Sequence, residues 1–103
     1  MDSRIKKFAE MIVDYSCNIQ PGEKVLIEEA GTAARPLIQQ IIREVYRAGG
    51  IPFLGLSDSI LIREIVKGCS EEQLEAMCRY EMVRMKEMDA YIAVRASDNT
   101  SEL

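Results

Sequence analysis

Two adjacent carboxylates, Glu28 and Glu29, follow the apolar run Val25-Leu26-Ile27 and precede Ala30-Gly31-Thr32. Open α/β sheets put functional groups at the carboxyl ends of their strands, where a carboxylate can hold a metal or exchange a proton. Neighbours on an extended chain point to opposite faces, however, so these two cannot simply converge on one ligand. The pattern reads more readily as a solvated loop. A second polar set, Arg95, Asp98 and Asn99, follows the apolar run Ala90-Tyr91-Ile92-Ala93-Val94. The acidic pair suggests a phosphoacceptor receiver domain, but that fold needs an aspartate at the end of its third strand, where Arg95 stands. Gly31-Thr32-Ala33-Ala34 has the position of a phosphate cradle at a helix start. It matches neither GxGxxG nor the P-loop pattern, and a plain turn is the better reading.

Histidine is absent from the 103 residues. That removes the commonest general base and the commonest ligand of catalytic zinc. Cys17, Cys69 and Cys78 therefore have no imidazole to activate them, and they read as buried or incidental thiols. Odd in number and without a CxxC spacing, they support neither a disulfide framework nor a thiolate zinc site. The chain carries 13 Lys plus Arg against 17 Asp plus Glu, a net charge of −4, which argues against a nucleic-acid footprint. No apolar run approaches the roughly 20 residues of a membrane span, and Met1-Asp2-Ser3-Arg4 is not a signal peptide. Reduced thiols without an export signal point to the cytoplasm.

The elements that must position these groups are legible from periodicity. With 48% hydrophobic residues, the chain has room for one core. Residues 4–18 read as a helix capped by Asp2 or Ser3, with Ile5, Phe8, Ala9, Ile12, Tyr15 and Ser16 as the inward stripe. After the Pro21-Gly22 turn, the consecutive apolar residues 25–27 predict a central strand covered on both faces. Thr32 can cap a second helix with Pro36 in its first turn. Leu37, Ile38, Ile41, Ile42, Val45 and Tyr46 form its apolar face, opposite Arg35, Gln39, Gln40, Arg43 and Arg47. Gly49-Gly50 ends it.

Residues 51–56 predict a second strand with Pro52 at its start or on an edge. Ser57-Asp58-Ser59 then caps a short helix ending at Gly68. Ser70-Glu71-Glu72-Gln73 has the form of a capping box. The helix it starts should run to about Glu87, with Leu74, Met77, Cys78 and Met85 inward. Met77, Met82, Met85 and Met88 read as ordinary packing, or as the seam with a further domain. Residues 90–94 make the third strand.

The expected architecture is α/β: a small three-layer open parallel sheet of three strands, order 2-1-3, flanked by four helices. In that order the switch point lies between the loops after strands one and three. Glu28, Thr32, Arg95 and Asn99 are then the candidate cleft-lining residues, and no catalytic or metal-binding residue is assigned. Ser101-Glu102-Leu103 looks like the start of another helix, and three strands would leave an unpaired edge. Both features lead us to expect the N-terminal part of a longer chain. The edge and the methionine-rich helix also predict self-association.

Taken together, several stretches resemble the N-terminal region of the AmpS/AmpT-type metalloaminopeptidases, the thermophilic-aminopeptidase family. They are Val13-Asp14-Tyr15-Ser16, Ile19-Gln20-Pro21-Gly22-Glu23-Lys24-Val25-Leu26-Ile27 and Pro36-Leu37 with Arg43-Glu44-Val45-Tyr46-Arg47-Ala48-Gly49-Gly50. The Pro52 strand and Asp89-Ala90-Tyr91-Ile92-Ala93-Val94-Arg95-Ala96-Ser97-Asp98-Asn99-Thr100 complete the set. The resemblance implies a homodimeric enzyme that removes N-terminal residues from peptides. It also implies two divalent metal ions (cobalt, zinc or magnesium) that activate a water. The family's metal-binding residues lie in a downstream catalytic domain, and none can be carried onto this sequence. The resemblance therefore implies a domain that scaffolds and encloses the site, forms a homo-oligomer and is inactive alone. The alternative is a free-standing, non-catalytic α/β binding or oligomerisation module.

Overall fold

The computed structural model describes residues 3–31 and 34–95. Its centre is strand β1 (Lys24–Ala30), hydrogen-bonded on both sides by parallel strands, β2 (Ile51–Ser57) and β3 (Ala90–Arg95), in the order β2-β1-β3. Val25, Leu26 and Ile27 are all buried, as a strand covered on both faces requires. The register sets Ile27 beside Leu54 and Ile92, and Glu28 beside Gly55 and Ala93. This is the expected α/β class and strand order.

One face of the sheet carries the core. Val25 and Ile27 pack with Ile92, with Ile38, Ile41 and Val45 of helix α2 (Arg35–Arg47), with Ala9 of helix α1 (Ser3–Met11) and with Val13 of the turn that follows it. Gly50 follows α2 and is itself wedged into this core. A Cβ there would stand 2.9 Å from both Ile19 Cγ2 and Val45 Cγ1. Gly49, at φ +87°, supplies the left-handed turn that precedes it.

The first helix departs from its expected stripe. After Met11 it continues as a π-helical turn, Ile12–Ser16, in which Cys17 N–H donates to Ile12 O at 2.9 Å. An i→i+5 turn rotates less per residue than an α turn, so the phase slips. Val13 turns inward while Tyr15 is 83% exposed, and Phe8, also expected inside, is 48% exposed. Asn18 then takes a positive φ of 49°, a conformation asparagine tolerates, and reverses the chain.

The second helix buries Ile38, Ile41 and Val45 of its expected apolar face but leaves Tyr46, at that face's end, 65% exposed, and its polar face also differs from expectation. Gln40 is buried, as is Glu44, because α1 lies along this flank. Gln40 donates to Glu44 at 3.3 Å, and Arg47 bridges Glu44 and Asp14, reaching Asp14 Oδ1 at 2.8 Å. The Thr32 cap lies outside the described residues.

Helices α3 (Ser59–Gly68) and α4 (Glu71–Lys86) follow β2, and Arg84 of α4 reaches Glu28 on the face of the sheet opposite the core. Both start as their sequences predict. The Asp58 side chain accepts from Ile60 N–H at 2.9 Å and Leu61 N–H at 3.3 Å. Ser70 accepts from Gln73 N–H at 3.0 Å. No residue of either helix is buried, so the inward placement of Leu74, Met77, Cys78 and Met85 is not realised. Apolar residues are spread around α4 rather than gathered in one stripe, and no face of the helix is buried.

Candidate functional site

The carboxyl ends of the strands frame a crevice of about 760 Å³ on the α3 face of the sheet. Glu28 and Ala30 of β1, Tyr91 and Arg95 of β3, and Arg63 and Lys67 of α3 are among its lining residues. Glu28 and Arg95, both expected at the switch point, thus share one cavity. Thr32 and Asn99 lie outside the described residues.

The two glutamates are not the solvated loop that their sequence suggests. Both belong to β1, whose ladder runs through Ala30, and Glu29 is only 1% exposed. They do point to opposite faces, as extended geometry dictates. Glu29 accepts from Arg35 Nε at 3.0 Å on the α2 side, leaving its other oxygen without a hydrogen bond. Glu28 turns to the α4 side, where it accepts from Arg84 Nη2 at 3.0 Å and from the Tyr91 hydroxyl. Arg84 also donates to Glu81 at 2.8 Å. Gly55 leaves room for this cluster: a Cβ there would stand 2.9 Å from Glu28 Oε2 and 3.0 Å from Arg84 Nη1.

The electrostatics follow from that geometry. The Tyr91 hydrogen bond holds Glu28 below the usual carboxylate range against the opposing effect of burial, with Arg84 adding to it. Reciprocally, Tyr91 is pushed above the ordinary phenol value, mainly by its bond to Glu28. Arg84 is pushed up by its bonds to Glu81 and Glu28. Glu28 therefore stays ionised near neutrality and serves as an acceptor that ties β1, β3 and α4 together. It is not poised as a general acid.

Sequence reasoning missed Arg63, Lys67, Arg84 and Tyr91. For the α3 pair a signal exists: four residues apart on a helix, Arg63 and Lys67 share a face. Tyr91 was hidden in an apolar run, and Arg84 sits on a helix whose orientation the sequence leaves open.

The family model for thermophilic metalloproteases, M29, matches residues 1–103. The chain belongs to that family. Among curated proteins, none matches the chain. Of the solved structures, wild-type AmpT from Thermus thermophilus is similar at 26% sequence identity and a TM-score of 0.68. The likeness covers 96% of this chain and 26% of that one, so the chain spans about a quarter of the AmpT chain.

A metalloprotease family implies a metal centre, and the donor set of this chain can be tested against one. Among the described residues, no three His, Cys, Asp or Glu side chains come together in a way that could hold an ion. Glu28 and Glu29, the adjacent candidates, face opposite ways, and each is engaged by an arginine. The residues described here do not fit a metal centre, and no catalytic step is assigned to them.

On the other side of β3 lies an apolar groove of about 660 Å³, lined by Ile5, Phe8, Ile12, Leu37 and Val94 among others. It accounts for the exposure of Phe8, which borders open space instead of core. Cys17 also borders this groove, and burial raises its thiol above the ordinary value.

Proposed function

We propose that residues 1–103 form the N-terminal α/β domain of a metal-dependent aminopeptidase, a hydrolase that releases N-terminal residues from peptides. The observation that carries this reading is the family match along the whole chain. The domain's part is to scaffold and enclose the active site, and the catalytic and metal-binding groups belong to the rest of the parent enzyme. On this reading the parent contains two divalent metal ions, cobalt, zinc or magnesium, and works as a cytoplasmic homodimer on peptide substrates. Neither nucleic acid nor a membrane is a partner. A net charge of −4 supports the first exclusion. No helix among the described residues is long and apolar enough to cross a membrane.

A second reading, a non-catalytic binding or oligomerisation module, draws support from the crevice, which could take a ligand without any metal. Intact mass of the native protein, detected with an antibody against this stretch, separates the two. The peptidase reading expects a species several times heavier than 11.6 kDa that hydrolyses peptides in a metal-dependent way. A native species of that small mass without hydrolysis would overturn it in favour of the module.

A further inference from the structure

The crevice at the strand ends carries charge of both signs. Arg63 and Arg95 make no hydrogen bond or ion pair among the described residues, whereas Arg35, Arg47 and Arg84 are each committed to a carboxylate. Lys67, the third cation of the crevice, reaches Glu64 at 3.7 Å between two exposed side chains, a contact worth little. In a chain of net charge −4, two arginines without a partner among the described residues and a loosely held lysine lining one cavity make a local anion-attracting site. Guanidinium groups suit a planar carboxylate because their paired donors match its two oxygens.

The same cavity also contains the Glu28 carboxylate, kept ionised by Tyr91 and Arg84. Only two of the acceptor positions on its oxygens are used by these partners, so a ligand N–H or ammonium can still donate to it. A fixed negative charge inside the site works against phosphate, whose charge is higher and which has no cationic group to offset that repulsion. Ile62, Val66 and Ala93 supply apolar walls between the poles. At about 760 Å³ the cavity lies within the range that holds small ligands.

We propose that this crevice binds the carboxylate end of a short peptide, with Arg63 and Arg95 reading the carboxylate and Glu28 facing the peptide's N–H groups. The assignment of a peptide rests on the peptidase reading above. The charge pattern itself does not depend on it.

The test is calorimetric titration of the 103-residue chain with trialanine, trialanine amide and inorganic phosphate. We expect saturable binding of trialanine, weakened about tenfold or more for the amide, whose C-terminal group is uncharged and offers one carbonyl oxygen in place of two carboxylate oxygens. The Arg63→Ala/Arg95→Ala double variant should lose a similar factor. Both side chains are exposed, so the variant keeps its fold, verifiable by circular dichroism. Lys6→Ala, an exposed charge on α1, should bind as the parent does. The proposal is overturned by absent binding, by equal binding of acid and amide, or by undiminished binding in the double variant. Phosphate binding as tightly as trialanine would also overturn it, leaving a general anion site. Because no hydrolysis is measured, trialanine binding can succeed while the peptidase test fails, and the reverse, so the two failures are told apart.

Discussion

Replacing Glu28 by alanine should loosen helix α4 from the sheet. The carboxylate accepts from Arg84 Nη2 at 3.0 Å and from Tyr91, and so joins β1 to α4 and to β3. Hydrogen bonds to charged groups contribute about 1.5–3 kcal/mol each. The Glu28 and Arg84 side chains are 23% and 30% exposed, which places the Arg84 bond at the lower end of that range. Arg84 also keeps Glu81, at 2.8 Å, after the substitution. Adding the two bonds and discounting for water gives a loss of about 2–3 kcal/mol, a large part of the roughly 5–15 kcal/mol that stabilises a typical domain. With a urea slope of about 1–3 kcal/mol per molar, the unfolding midpoint should fall by about 0.7–3 M. Glu28 has its folded pKa below its ordinary value of 4.5. Its contribution is therefore complete above that value and is lost as pH falls through the depressed folded one. The Glu28→Ala variant should accordingly lose less stability than the parent over this acid window. Equal urea midpoints, or equal acid slopes, would refute the account of Glu28 as the link that holds α4.

Tyr91 tests the same contact from the other partner. Its folded pKa is raised above 10, so its contribution is complete below that value and is lost as pH rises through the folded one. An absorbance titration should find Tyr91 ionising late in the parent and earlier in Glu28→Ala, where its main raising contact is gone. Gly50→Ala tests the opposite face: a methyl group 2.9 Å from two core side chains must displace them, at a cost of about 1–3 kcal/mol. A urea midpoint unchanged within error would show that this corner of the core is loosely packed.

These predictions also mark what the sequence can and cannot reveal. The central strand was legible because Val25, Leu26 and Ile27 are consecutive, and only a doubly covered strand buries all three. Asp58 and Ser70 were legible because a cap acts on backbone N–H groups two or three residues away. Glu28 was not, since its partner Arg84 lies 56 residues further along the chain. Two adjacent glutamates look solvated until tertiary structure brings an arginine to each. The π turn escaped for a related reason: a 3.6-residue template has no place for the phase slip that exposes Tyr15.

The failure on α4 has a different cause. Leu74 and Met77 are exposed, as are Ile60, Leu61 and Val66 of α3. Their apolar character is real, but no further layer lies over these helices among the described residues. Periodicity reports that a face is apolar, not what covers it. On the proposed reading this is the surface against which the remainder of the peptidase packs. Chain added beyond residue 103 should then protect α3 and α4 from amide exchange and leave the already buried α2 core unchanged. Equal protection of α3 and α4 in the short and the extended chain would instead mean that these helices face solvent in the complete protein as well.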